Sequence, residues 1–440
     1  MSEYGTASAP RAMLDVTTRQ SASRKLIERA LDSIGVEVNG PNPWDIQVHR
    51  EEFFERALQG AGLGLGESYM DGWWDCEDLA ELVSRTLRSN VERLVFGDWR
   101  LALLAASTWF RNLQSVTRSP QVAEAHYNLG NDVFEKMLGP SMMYSCAYWP
   151  NASTLDEAQE TKLDLVCRKL ALQASDRVLD IGCGWGGFAR YAARRFGCNI
   201  VGVTISRPQA EFATNLCAGL PVTILNEDYR GRGLLQHGPF TKIVSIGMFE
   251  HVGRRNYRRF FQIVNDALDP QGLFLLHTMG TYGSGRGDLW MRKYIFPNGE
   301  LPFTRHLPEA AEGLFRLEDW HDFGPDYDRT LMAWWRNVEA QIGTGGLLSD
   351  ERFCRMWRYY LLGFAGAFRS RVANQLWQVV FSPAGSTTEY RSVRCQRPRS
   401  SRAAAILGCE GSSAASKTRS ARRTIGRASS CRWRTQSIQA

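Results

Sequence analysis

Ten cysteines are spread over 440 residues, and no two of them form a Cys-x-x-Cys pair or repeat a common spacing. That excludes the usual structural zinc frameworks and a disulfide scaffold, so no metal is expected, and it points to reduced thiols in a cytoplasmic protein. Long apolar runs are missing as well. The longest near-apolar stretch, Leu101 to Phe110, is about half of what spans a bilayer, so any work on membranes is done from outside them. The amino-terminal Met-Ser-Glu-Tyr-Gly has neither a basic n-region nor an apolar stretch, and no secretory signal is expected. Charge is scarce too, once it is located. The net +7 would suggest nucleic-acid binding, but residues 383–440 hold twelve Arg or Lys against two Glu. The other 382 residues carry 41 bases and 44 acids, so the body is nearly neutral and no nucleic-acid partner is expected.

What is present is an ordinary globular composition, 44% hydrophobic and 22% charged, long enough for two or three compact units. Residues 1–20 are polar and read as a flexible start. Residues 21–118 read as a small, mainly helical accessory domain. It has a helical stretch through Leu26, Leu31 and Ile34, an extended Trp44–Val48, a helix over 51–59 and a glycine-rich run to Gly66. Gly66-Glu-Ser-Tyr-Met-Asp-Gly-Trp-Trp74 reads as a satellite core rather than a cofactor site. Residues 119–382 read as the catalytic domain. There, apolar strands at 177–181, 199–205, 221–225, 242–246 and 272–277 alternate with helices, which predicts a parallel sheet covered on both faces. A late strand at 376–382 closes the sheet. The tail 383–440 is built from Arg, Ser, Ala and Gly without periodicity and is expected to be disordered; its eleven Arg to one Lys is the skew that a GC-rich gene read out of frame produces.

The chemistry concentrates in Val178-Leu-Asp-Ile-Gly-Cys-Gly-Trp-Gly-Gly187, which runs from a strand into a helix. Glycine is needed where backbone approaches a nucleotide closely, and a helix start offers free N–H groups. The spacing is Gly-x-Gly-x-Gly rather than the Gly-x-Gly-x-x-Gly of dinucleotide sites, and the second strand ends in Val203-Thr-Ile-Ser206 without the acid that binds an NAD ribose. Asp180, two residues before the first glycine, is placed to hold an amino-acid ammonium. Together these point to S-adenosylmethionine. Ligands of open α/β sheets sit beyond the carboxyl ends of the strands, where Glu227, Asp228, Glu250, His251 and His277 fall. Cys146, in an apolar setting, reads by itself as an inert small hydrophobe, and Tyr327 reads equally well as a core tyrosine.

These segments resemble the bacterial cyclopropane-fatty-acyl-phospholipid synthases over about residues 25–382. The motifs are Gly64-Leu-Gly-Glu-Ser-Tyr-Met-Asp-Gly-Trp-Trp74, His126-Tyr-Asn-Leu-Gly-Asn-Asp132, Tyr144-Ser-Cys-Ala-Tyr-Trp149, the glycine loop, Gly247-Met-Phe-Glu-His-Val-Gly253, Lys293-Tyr-Ile-Phe-Pro-Asn-Gly299 and Leu376-Trp-Gln-Val-Val-Phe381. The resemblance implies an α/β class I S-adenosylmethionine-dependent methyltransferase (Rossmann-like) sheet with a small helical N-terminal domain. It implies action on cis double bonds of acyl chains in membrane phospholipids, a peripheral place at the inner face of the cell membrane, and a homodimer. The alkene takes the methyl group, becomes a carbocation and closes to a cyclopropane when a base removes a proton. By resemblance that base is a bound bicarbonate, contacted by Cys146, Glu250, His277 and Tyr327. Cofactor contacts carry over to Tyr144, Ser145, Asp180, Gly182, Cys183, Gly184, Gly186, Thr204, Gln209, Glu227 and Asp228. Two departures stand out: Phe364 occupies a position where many relatives have a cysteine, and the Arg-rich tail exceeds the family's short ending. A methyltransferase giving a methyl-branched or methylene product, a non-catalytic lipid-binding relative and an NAD-dependent oxidoreductase are the alternatives; the last fits poorly with the glycine spacing.

Overall fold

The computed structural model describes residues 22–89, 131–231, 233–282, 288–297 and 299–394. The chain divides into two compact units, Met1–Arg394 and Cys395–Ala440. The flexible start over 1–20, the helices expected between 90 and 118, the motif beginning at His126 as far as residue 130, and the tail from 395 onward lie outside the described residues.

The expected strands form because their apolar residues cannot be solvated on either face. They are β3 (Arg177–Ile181), β4 (Asn199–Thr204), β5 (Val222–Asn226), β6 (Phe240–Ile246) and β7 (Leu268–Thr281), followed by β8 (Phe315–Asp322) and β9 (Asn374–Pro383). They make one seven-stranded sheet in the order β5-β4-β3-β6-β7-β9-β8, in which β9 runs against the others. β8 has no counterpart in the sequence reading. Its residues, Phe-Arg-Leu-Glu-Asp-Trp-His-Asp, are mostly polar, as suits an edge strand that must discourage further pairing.

Eleven helices of the described chain matter to the site. Residues 22–32 form α1. After it come α2 (Glu52–Met70), α3 (Leu79–Ser89), α4 (Asn131–Leu138), α5 (Leu155–Lys169), α6 (Gly187–Phe196) and α7 (Arg207–Leu216). The last four are α8 (Tyr257–Ala267), α9 (Leu289–Tyr294), α10 (Pro325–Glu339) and α11 (Glu351–Ser370). α5 begins at a capping box in which Thr154 and Glu157 satisfy each other's backbone N–H groups. The Asp350 carboxylate caps α11 by accepting from Phe353 N at 2.6 Å.

The helix expected to stop at residue 59 continues to Met70 through a break at Ala61 (φ 48°, ψ −136°). Close packing explains the glycines there: a Cβ on Gly64 would lie 2.2 Å from the Arg56 carbonyl, and one on Gly66 2.4 Å from the Trp290 indole. The run is therefore a packing surface inside a continuing helix rather than a helix stop. β1 (Gln47–Val48) and β2 (Trp74–Asp75) form a two-stranded antiparallel ribbon beside it. Tyr69, Met70 and Trp74 share one buried cluster with Trp290, Trp357 and Tyr360. Arg355 ties the segments together, donating to Tyr69 O at 2.6 Å and to Trp74 O at 2.8 Å. The described part of the amino-terminal region thus shares its core with α9 and α11.

The boundary expected at Ser382 moves to Arg394. Residues beyond β9 stay hydrogen-bonded to the body: Thr387 N and the Thr388 hydroxyl donate to Gln271, at 3.0 and 2.9 Å. The Tyr148 hydroxyl donates to Arg394 O at 3.0 Å. The Arg394 guanidinium grips the carboxylate of Asp319, whose side chain is buried beside the equally buried Lys169 ammonium at 3.6 Å. Sequence composition missed this because a strap needs only a few polar anchors and has no apolar period. A chain ending at Ser382 is expected to be less stable than one ending at Arg394 by about 2 kcal/mol, the worth of hydrogen bonds to a charged group, read as a lower urea midpoint. Equal midpoints would show that the strap carries no load.

Candidate active site

β3 delivers its last residues to the rim of the sheet and turns at once into α6. Gly182, Gly184 and Gly186 all have positive φ (81°, 54° and 82°), which a side chain would strain. At Gly184 the direction of a Cβ is open space within 4 Å, so the loop forms a cradle. Gly182 N and Cys183 N both donate to Val203 O (2.9 and 3.0 Å), which locks the turn to β4. Cys183 itself is buried and packs toward Gly202, so its side chain is structural.

Asp180 is 2% exposed, and its Oδ2 has no hydrogen-bond partner among the described residues. Burial raises its carboxyl to about 7, against the pull of Lys162. Lys162 is the residue that sequence reasoning missed. It projects from α5, fully buried, and donates to the Ser145 hydroxyl at 2.9 Å; burial lowers its ammonium to about 7. Gln159, one turn earlier, donates to Ser145 O at 2.9 Å. Together they hold the Tyr144–Cys146 segment against the sheet. The available signal was periodicity: Gln159, Lys162, Val166 and Lys169 lie on one buried helix face, where lysine is rare.

The neighbouring strand ends fall as expected. At the end of β4, Thr204 donates to Gln209 Oε1 at 3.0 Å, which leaves no acid at that place. Beyond β5, Asp228 is engaged by its own neighbour Arg230, while Glu227 lies beside Gly231 and Gly233. Of the two, Asp228 already has its charge paired.

Glu250 follows the end of β6, whereas His277, expected to end its strand, lies within β7, level with Ile246 at the end of β6, and β7 continues to Thr281. Glu250, 5% exposed in a short helical turn after β6, accepts from Met279 N at 2.7 Å through Oε1, leaving Oε2 buried without a partner among the described residues. Burial pushes its carboxyl up to about 7. His277 is 1% exposed, with Nδ1 3.2 Å from Gln378 Nε2 and Nε2 unpartnered among the described residues. Burial, aided by the charges of Lys162 and Lys169, holds its imidazole well below the usual histidine range, so it is neutral. His251 is also neutral, lowered by burial to about 4, and lies against Phe296.

Cys146 and Tyr327 are linked to each other through α10. The Cys146 thiol is fully buried and raised well above its usual pKa by burial; it donates to Ala147 O at 3.1 Å and lies 3.9 Å from the Thr330 hydroxyl, one turn along α10 from Tyr327. His277 in turn packs on Phe323, just before α10, at 5.7 Å between ring centroids. The Tyr327 ring lies against Phe368 at 4.6 Å. Aromatic side chains wall the site. Tyr144 contacts Phe134, Phe296 and Trp334, and its hydroxyl is 2.8 Å from that of Tyr360. Phe364 packs between Phe296 and Tyr360 as part of this wall.

The Glu250 carboxyl gives a pH signature. It titrates near 7 in the fold against an ordinary 4.5, so the native state binds more protons between those values. Its favourable contribution is therefore complete below about 4.5 and lost as pH rises through about 7. Glu250→Gln is expected to gain stability relative to the wild-type chain between about pH 5 and pH 8, by on the order of 3 kcal/mol. Urea midpoints across that range check it; parallel pH profiles would refute the shift.

Residues 114–379 match the family described as mycolic acid cyclopropane synthetase. The chain is 48% identical over 359 residues to the cyclopropane-fatty-acyl-phospholipid synthase of Escherichia coli strain K12, covering 81% of this chain and 93% of the relative. Among solved structures, the mycolic acid cyclopropane synthase CmaA1 complexed with SAH and CTAB aligns with a TM-score of 0.55 at 32% identity, over 59% of this chain and 97% of that one. Coclaurine N-methyltransferase, bound to N-methylheliamine and SAH, aligns with a TM-score of 0.59 at 21% identity, over 72% and 98%, a likeness of fold alone. The sheet is thus the class I methyltransferase sheet, and the chain belongs to the cyclopropane synthase family that these matches define.

Proposed function

We propose that this chain transfers a methylene unit from S-adenosylmethionine to the cis double bond of an unsaturated acyl chain in a membrane phospholipid, leaving a cyclopropane ring. The observation that carries the reading is that two buried atoms without partners among the described residues, Glu250 Oε2 and His277 Nε2, are carried by the turn after β6 and by β7, in the same parallel sheet as the strand that runs into the glycine turn. Buried polar atoms without partners are costly, and a site built to hold a ligand is a reason to keep them.

S-adenosylmethionine, held by the 182–186 loop, Asp180, Tyr144, Ser145, Thr204 and Gln209, with Glu227 and Asp228 at the adenosine end, would supply an electrophilic methyl group. Asp180 Oδ2 suits the cofactor's ammonium, because it is the open valence of a buried carboxylate. The nucleophile is an alkene, which needs no activating base. The protein's tasks are to exclude water, tolerate positive charge on carbon and dispose of one proton. The rings of Tyr144, Phe296, Trp334, Tyr360 and Phe364 do the first two, since π faces attract cations in a dry site.

Proton removal falls to the group around Glu250. Bicarbonate, held by Cys146, Glu250, His277 and Tyr327, would supply the base. The donor set suits a small anion: a neutral imidazole and a phenol can donate, and a carboxyl near 7 can share a proton instead of repelling it. Without the anion, Glu250 is the member of the set best matched to accept a proton near neutrality. The mechanism needs no covalent enzyme intermediate, so Phe364 is compatible with activity.

No helix among the described residues is long and apolar enough to cross a membrane, and we place the protein as a peripheral visitor to the inner face of the cell membrane, as a homodimer. The exposed Tyr282 and Val372 flank the adjoining ends of β7 and β9 at the ligand rim, which supports a lipid-facing lip there.

The test is incubation with vesicles of unsaturated phospholipid and methyl-labelled cofactor, with and without bicarbonate. Label should enter acyl chains, fall sharply without bicarbonate, and reside in a ring by NMR of the released fatty acid. Glu250→Gln should lower turnover by about 10²–10⁴-fold with cofactor binding kept. A methyl-branched or methylene product would transfer the chain to the simpler methyltransferases, and label confined to a soluble metabolite would end the lipid reading.

A further inference from the structure

Gln378 takes no part in the reaction as described, yet it is fully buried beside the site. β7 and β9 pair so that His277 and Gln378 are register partners, and β8 pairs so that His321 is the partner of Gln378 on its other side. Directly paired residues project from the same face of a sheet, so His277, Gln378 and His321 form one row across three strands. The row ends at α5, where the Lys169 ammonium donates to His321 Nδ1 at 3.1 Å and lies 3.6 Å from Asp319. Phe323 covers the row, with its ring 5.7 Å from His277 and 5.1 Å from His321.

We infer that Gln378 is a positioning residue that fixes His277 as the Nε2–H tautomer, so that the imidazole offers the ligand a donor and not a lone pair. The inference rests on the proposed reading only in what it assigns to that donor, an oxygen of the anionic base. The geometry of the row supplies the rest. Gln378 Nε2 faces His277 Nδ1 at 3.2 Å, and an amide NH₂ can only donate. Nδ1 must then accept, and the ring proton resides on Nε2, the atom with no protein partner among the described residues. The reverse amide orientation would put Oε1 on a protonated Nδ1 and turn a lone pair toward the site. With Nε2 turned to β7, the amide Oε1 is left buried without a hydrogen-bond partner among the described residues.

The test reads the tautomer directly. In protein with ¹⁵N-labelled imidazoles, with His277 assigned among the seven histidines by its loss in His277→Asn, wild-type His277 should show Nδ1 in the unprotonated range and Nε2 in the protonated range. Gln378→Glu places an acceptor against Nδ1 and should move the proton there. It should lower kcat at least tenfold while KM for S-adenosylmethionine changes less than twofold. Gln378→Leu should give mixed tautomers and a smaller loss of kcat. A wild-type His277 protonated on Nδ1, or a tautomer indifferent to both substitutions, overturns the inference; the wild-type spectrum alone decides if the variants do not fold. The proposed reaction is judged separately, since a wild-type protein with the expected tautomer that labels no lipid would refute the reaction and leave the tautomer assignment standing.

Discussion

The parallel pairing of β6 with β7 is the constraint on which the site depends. It aligns Ile246 with His277 and lets Gly247 N donate to His277 O at 2.9 Å, so the turn carrying Glu250 starts level with the histidine. Both strands are buried on both faces, and a slip of one residue would turn His277 from the rim pocket to the opposite layer. The apolar character of Val244, Ile246, Leu275 and Leu276 therefore does more than fill the core. It fixes the register that sets the turn carrying Glu250 level with the His277 imidazole on the neighbouring strand. β3 joins the same frame through pairs such as Asp180 with Val244, bringing the glycine cradle to the same edge.

α5 is the second support. Its buried face carries Gln159, Lys162 and Lys169, and each makes a different attachment: to the backbone of Ser145, to the hydroxyl of Ser145, and to His321 and Asp319 on the far edge strand. A single helix so ties the segment bearing Tyr144 and Cys146 to the outermost strand of the sheet. Two buried lysines are costly to desolvate. Their partners show what the cost secures, namely fixed positions for Ser145 and for His321 and Asp319 on β8.

Much of this was legible in the sequence because apolar strands and positive-φ glycines leave strong local traces. β3 was readable to the residue, and the glycine loop and Glu250 fell where strand ends predicted, while His277 lies inside a strand that runs on to Thr281. The misses share a physical cause. β8 is an edge strand whose polar residues resemble a loop, the strap over 384–394 is held by isolated polar anchors, and Lys162 and Gln378 owe their roles to partners far away in sequence. Gln378 sat within a recognised motif, but only its register against His277 and His321 reveals why an amide is placed there. The glycine run at 60–66 misled in the other direction, since tight packing on Trp290 and a fold-back on Arg56 demand the same residue type as a turn.

The position of β9 has a consequence for how the protein comes into being. It is the last of the described strands along the chain, yet it lies between β7 and β8, which are joined only through it. A growing chain on the ribosome must therefore expose two open strand edges, and an incomplete imidazole site, until residue 383 has emerged. Prematurely terminated products would carry sticky edges and an unfinished site, which makes them natural targets for chaperones and proteases.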